Sequence, residues 1–371
     1  MRAVHPLFPL TIFPIALSAT VDLYYFFASS YLSRSVALNS LPMLFNKLIS
    51  LTAVLCVSAA SLVDAVAIDN KACDTNFDPE TKALMEADFQ ARLANQTASL
   101  VSDDGTVSNF ANFLLDPFDV YFHVISKDES EKGGNLSDET IDKQIQVLKD
   151  AFSGTGIRFN HVKTTRTVNP EWFKKAGLKN KPLTAHMKRA LHEGGSADLN
   201  IWSISFDADK DFWGSGLIGY SSFPTYAWSE PLLDGVMIDY RTVPGGKHKN
   251  RDRGHVCFPS LVEQLKTRLI DVHHKLLVHE VGHWFGLYHT FEGGCDDKIG
   301  DGIDDTPAQK SSTNGCPKSR NTCKDREGED PIHNYMDYSD DRCTNEFTIG
   351  QMLRMTSMIR TYRPNWSSQK A

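Results

Sequence analysis

Two apolar rhythms run along the chain. Residues 78–93 place Leu84, Met85, Phe89 and Leu93 along one side of a predicted helix. Residues 118–125, Phe-Asp-Val-Tyr-Phe-His-Val-Ile, are aromatic and branched, which predicts a buried strand holding His123 as a core histidine with its polar atoms satisfied. Gly133-Gly134-Asn135 is a turn signal, and Ser137 is placed to cap a helix whose first turn carries Asp138 and Glu139. Ile141, Ile145, Leu148 and Phe152 form that helix's core stripe, and Gly154 to Gly156 close it. Strands are predicted at 157–162, 198–204 and 235–240. Thr348-Ile349-Gly350-Gln351 has capping-box spacing and opens a last helix with Leu353, Ile359 and Tyr362 turned inward. Helices and strands mix without strict alternation, so an α+β layer fold follows.

The first 67 residues follow another pattern. Met43 begins a short basic region, residues 48–60 are apolar, and Ala65-Val66-Ala67 supplies small residues for a signal peptidase, so residues 43–67 read as a secretory signal. Another apolar stretch, 7–32, is interrupted by Pro9, Pro14 and Asp22, which disfavours a clean spanning helix. The expected arrangement is translation from Met43, secretion, and no stable membrane association once the signal is gone. A formal net charge of -7 over 371 residues, without a Lys/Arg cluster, argues against nucleic-acid binding. Seven cysteines, four of them between Cys295 and Cys343, point to an oxidising compartment. Asn95, Asn135 and Asn365 stand in N-x-[ST] sequons.

The chemistry concentrates in residues 279–289, His-Glu-Val-Gly-His-Trp-Phe-Gly-Leu-Tyr-His. His279 and His283, four apart on a helix, share one face and one metal ion. Gly286 suits a sharp exit through left-handed backbone space, which brings His289 back as a third ligand. Three protein ligands leave zinc a fourth position for water, the catalytic arrangement, and Glu280 is placed to take that water's proton.

H-E-x-x-H-x-x-G-x-x-H resembles the metzincin metallopeptidases, and Asn334-Tyr335-Met336-Asp337-Tyr338 resembles their Met-turn. Gly300-Asp301 to Asp305-Thr306-Pro307, then Asp330 to Tyr335, resemble the pappalysin group, to which ulilysin and fungal secreted metalloproteases belong. The resemblance spans about residues 116–363. It implies a metzincin-like α+β fold: a mixed twisted sheet with active-site and backing helices, plus an irregular, disulfide-stapled C-terminal subdomain. It also implies secreted endopeptidase activity on proteins or peptides, with Met336 beneath the metal and Tyr338 donating to the oxyanion. Residues 216–220 correspond to the edge strand over the cleft, against which an extended substrate adds.

The expected division is a leader at 1–67, a pro-segment at 68–115, and catalytic subdomains at 116–289 and 290–371. Cys73 reads equally as a cysteine switch over the metal or as a disulfide partner. Residues 301–306 combine carboxylates, a hydroxyl and carbonyls, an oxygen set that suits calcium, and the resemblance implies calcium at Asp301 and Thr306. Four clustered cysteines allow three pairings; the resemblance implies Cys295–Cys323 and Cys316–Cys343, leaving Cys257 for Cys73 or free.

Residues 243–279 are long for the group and contain a basic run, 247–251. Helical spacing from Leu261 to Leu276 reads as an early start of the active-site helix or an inserted helix, with a mis-spliced gene as the third alternative, and His273 and His274 as solvated surface. Asp340 and Asp341 are candidates for preferring a basic substrate residue, with Arg342 placed to neutralise them. The alternative function is a secreted zinc-binding adhesin that no longer cuts; a zinc hydrolase of small amides is a further rival.

Overall fold

The computed structural model describes residues 78–100, 116–209, 217–246, 274–295 and 300–363. They lie within one unit, Ile68–Ala371. In chain order the main elements are α1 (Pro79–Leu100), β1 (Phe118–Ser126), α2 (Asp138–Phe152), β2 (Phe159–Val168), α3 (Pro170–Lys175), α4 (Lys181–Leu191) and β3 (Asp198–Ile204). They continue as β4 (Gly219–Ser221), α5 (Pro224–Ser229), β5 (Val236–Asp239), α6 (Leu276–Trp284) and α7 (Ile349–Tyr362). No helix among the described residues is long and apolar enough to cross a membrane.

The five strands form one sheet in the order β2-β1-β3-β5-β4. All neighbours are parallel except β4, which runs antiparallel to β5 at the edge. Strand alternation splits the core into two layers. Val120, Phe122, Val124, Leu199, Ile201, Val236 and Ile238 pack with the α2 stripe and the active-site helix α6. Ile125, Trp202, Ile204 and Met237 face the other way, onto Phe173 and Met187 of α3 and α4. Ile141, Ile145, Leu148 and Phe152 are each at most 3% exposed. Burial at that level contributes roughly 1.5–3 kcal/mol per side chain. Ser137 Oγ accepts from Thr140 N–H at 3.2 Å, the predicted cap.

His123 is a satisfied core histidine. Its Nε2 lies 2.9 Å from Asn200 Oδ1 and its Nδ1 2.8 Å from Thr165 Oγ1. Asn200 is oriented by Nδ2 donating to Glu193 O and Oδ1 accepting from Glu193 N–H. The histidine therefore donates from Nε2 and accepts the threonine hydroxyl at Nδ1.

Three periodic readings need correction. Leu84 is 67% exposed, because Met85 and Phe89 define the buried line of α1 and Leu84 sits one position off it. Leu353 is 65% exposed, and Met355, Met358, Ile359 and Tyr362 carry the buried face of α7. The second strand runs to Val168, six residues beyond the predicted end. As a sheet edge with one neighbour it needs little apolar sequence, and its second half, Lys-Thr-Thr-Arg-Thr-Val, is polar and β-branched.

Candidate active site

Every residue of α6 is buried, so its ends need internal partners. At the start, Asp341 Oδ2 accepts from the backbone N–H groups of His274 (2.7 Å) and Lys275 (3.2 Å). His274 is not solvated surface: it is half-buried, adopts φ 89°, and brings Nδ1 to 3.1 Å from Thr242 O. The described part of the helix begins at Leu276; the expected helical stretch before it, with His273 and the basic run, lies outside the described residues. At the other end Gly286 has φ 93° and Leu287 N–H returns to Gly282 O at 3.0 Å. Arg354 Nε donates to Gly286 O at 2.9 Å. This pinned turn reverses the chain and directs His289 toward the helix.

The three histidines converge. His283 Nε2 lies 3.1 Å from both His279 Nε2 and His289 Nε2, and all three side chains are buried. His279 Nδ1 is 2.7 Å from Tyr335 O, and His283 Nδ1 is 2.7 Å from Leu287 O. A backbone carbonyl only accepts, so both rings carry their proton on Nδ1 and turn the Nε2 lone pair inward. Burial lowers the pKa of His283 to about 4, against a smaller opposing effect of the Leu287 carbonyl. Buried neutral imidazoles with facing lone pairs repel one another unless a cation lies among them, so the donor set fits zinc.

Around this triad, Glu280 is fully buried, and the space above Gly219 is so tight that a Cβ there would lie 2.9 Å from Glu280 Oε1. Met336 is wholly buried against Gly282. The Tyr338 ring is centred 5.0 Å from His289 and 5.7 Å from His279, and Phe291 stacks on His289 at 4.8 Å.

The segment carrying Met336 is fixed by the side chains of Asn334 and Asp337 within the motif and by Gln309 outside it. Asn334 Oδ1 accepts from Met336 N–H at 2.9 Å, while its Nδ2 donates to Gln351 Oε1 at 2.8 Å. Asp337 Oδ1 accepts from Thr313 N–H, Tyr338 N–H and Gln309 Nε2. Thr290, beside His289, donates to Gln309 Oε1 at 2.7 Å. A buried glutamine in an irregular segment leaves no periodic trace, so Gln309 was invisible before the fold.

Cys295–Cys323 and Cys316–Cys343 are both bridged, closing separations of 28 and 27 residues in a region of little regular structure. Cys73 and Cys257 lie outside the described residues.

Asp301 is 5% exposed, and burial pushes its carboxyl up to about 7. Its Oδ1 accepts from Ile303 N–H at 3.1 Å, and the Thr306 hydroxyl lies beside the carboxyl. Neither Asp301 Oδ2 nor Thr306 Oγ1 has a well-formed hydrogen bond among the described residues. Buried oxygens this poorly supplied with well-aligned donors fit a hard cation.

Asp340 is paired with Arg342 Nη2 at 3.4 Å, and Asp341 faces the start of α6. Neither carboxylate is thereby left as an uncompensated pocket for a basic residue.

Fold and site together define a metzincin-type metallopeptidase. The peptidase M43 family model, described as pregnancy-associated plasma protein-A, matches residues 264–360. An extracellular metalloprotease of Pyricularia oryzae is 39% identical over 306 residues, 82% of this chain and 94% of the relative. Extracellular metalloprotease 1 of Coccidioides posadasii is 40% identical over 275 residues, 73% of this chain and 86% of the relative. A promirolysin mutant of Tannerella forsythia shares the fold, with a TM-score of 0.52 and 23% identity over 78% of this chain and 94% of that one. The chain therefore belongs to the pappalysin-type extracellular metalloproteases of peptidase family M43.

Proposed function

We propose that His279, His283 and His289 hold the zinc of this secreted metalloendopeptidase and that Glu280 is its general base. The observation that carries the reading is the inward convergence of the three Nε2 atoms beside a buried glutamate. When bound, zinc polarises the scissile carbonyl and makes water a nucleophile near neutral pH. Glu280 accepts the proton of the attacking water and returns it to the leaving amine. Tyr338, close to His279 and His289, donates to the oxyanion. Met336 is the apolar floor.

The substrate is a protein or peptide. The edge position of β4 supports an extended segment pairing beside Gly219–Ser221. Calcium is the proposed occupant of the oxygen cluster at Asp301 and Thr306. Within the leader region 1–67, residues 43–67 act as the secretory signal and 68–115 as pro-segment, preceding catalytic subdomains at 116–289 and 290–371. The non-cutting adhesin reading is disfavoured by the metalloprotease relatives and by the presence of Glu280 beside the triad.

Casein hydrolysis by the secreted protein and by Glu280→Ala, with and without a zinc chelator, tests the proposal. Activity should vanish in the variant and the chelated sample, and zinc should restore only the wild type. Zinc binding at one ion per chain with no cleavage, even after removal of residues 68–115, would overturn it.

A further inference from the structure

Helix α1 reaches into the oxygen cluster at Asp301. Lys82 is 5% exposed, its Nζ donates to Gly300 O, and it lies over the Tyr288 ring at 5.3 Å. Its charge acts on the Asp301 carboxyl, as does that of Arg354. The helix is anchored around this point. Glu86 pairs with Arg354 through two hydrogen bonds (2.8 and 3.2 Å), Asp88 accepts from Tyr362 Oη at 2.6 Å, and Met85 and Phe89 pack with Tyr288, Met358 and Tyr362. A buried ammonium is costly unless it faces oxygen, and here the carbonyl and carboxyl oxygens are those that would otherwise turn to a divalent cation.

We propose that Lys82 is a tethered cation that occupies the charge position of calcium at Gly300, Asp301 and Thr306 while α1 is docked. Calcium and α1 then bind this loop in competition, and departure of the helix opens the site to the ion. The inference rests on the calcium reading above. The two cations need the same oxygens, so each weakens the other by the same factor. Arg354 extends the consequence toward the active site, because the guanidinium that pairs with Glu86 also holds the Gly286 carbonyl.

Calcium binding to the full-length chain, measured by calorimetry, tests this with four proteins: wild type, Lys82→Met, Lys82→Arg and Lys82→Met/Asp301→Asn. Lys82→Met should bind calcium roughly tenfold more tightly than wild type. Lys82→Arg should behave as wild type, and the Asp301→Asn double variant should lose the gain. Equal calcium affinity in wild type and Lys82→Met would overturn the exchange and leave the calcium reading standing. If no protein binds calcium, the calcium reading fails and the exchange with it. Hydrogen exchange on the unaltered chain gives a second readout free of folding effects. Millimolar calcium should speed exchange in residues 82–94, and an unchanged rate at saturating calcium would overturn the proposal.

Discussion

Gly282 and Met336 stand in van der Waals contact so close that a Cβ on the glycine would overlap the methionine sulfur. One residue lies inside α6, the helix that carries His279 and His283, and the other on the loop beneath it, so this contact sets how near the floor approaches the histidines. Gly282→Ala should force Met336 down, lowering stability by roughly 1–3 kcal/mol and weakening zinc retention. Thermal unfolding and zinc content after dialysis measure the two effects; normal values for both would dissociate the contact from the site.

On the opposite side of the helix, Gly219 leaves room for the Glu280 carboxylate. A Cβ there would stand 2.9 Å from Glu280 Oε1 and 3.2 Å from both Leu276 Cδ2 and Met237 O. The backbone cannot yield, so the carboxylate must. Gly219→Ala should lower kcat by roughly 10–100-fold with zinc content unchanged. A drop in zinc content matching the drop in kcat would instead indicate damage to the triad.

Asp341 is a helix anchor in this fold, and a specificity role would demand a different orientation. With both bonds from the backbone N–H groups of His274 and Lys275 lost, Asp341→Ala should cost about 1 kcal/mol in denaturant unfolding. The distribution of cleavage sites in a peptide library should not change. A shift away from Arg and Lys after the cleaved bond would return the carboxylate to the substrate pocket.

The convergence of the three histidines was legible because its geometry is local. The spacing of His279, His283, Gly286 and His289 fixes a helix face, a left-handed turn and a return within eleven residues. Met336 and the disulfide pairings were legible only through family resemblance, since loops of nearly 30 residues carry no period. The helix faces were read to within one position; Leu84 and Leu353 failed because hydrophobicity alone does not say which of two adjacent apolar residues, Leu84 or Met85, Met352 or Leu353, turns inward. Gln309 was missed, Asp341 misread and the bracing role of Asn334 unseen because their partners lie 17 to 67 residues away in sequence. Backbone satisfaction at such range becomes visible only once the chain is folded.

His123 provides a pH signature. Burial lowers its pKa to about 4 from an ordinary 6.5, outweighing the opposing hydrogen bond to Asn200. The unfolded chain therefore takes up this proton first as the pH falls. Stability is complete above pH 6.5 and declines between there and pH 4, by at most roughly 3 kcal/mol from this residue. His123→Gln should be less stable than wild type at pH 7.5 and lose less on acidification. Parallel pH profiles for the two proteins would remove His123 as the source.

Arg363 and Asp234 tie the last turn of the fold to the end of α6. Arg363 is 2% exposed; its Nη1 and Nη2 meet Asp234 at 2.5 and 3.2 Å, and its Nε and Nη2 donate to Trp284 O. The guanidinium lies 3.6 Å over the Trp284 ring, whose Nε1 donates to the same carboxylate. Arg363→Met should cost roughly 3–5 kcal/mol, because it strands a buried carboxylate. Much of that cost is the stranded charge and not the lost attraction, so Asp234→Asn/Arg363→Met should be more stable than Arg363→Met alone. Urea unfolding of the two variants and wild type decides it: a double variant no better than the single one would mean that arginine packing over Trp284, not charge compensation, is what holds this corner.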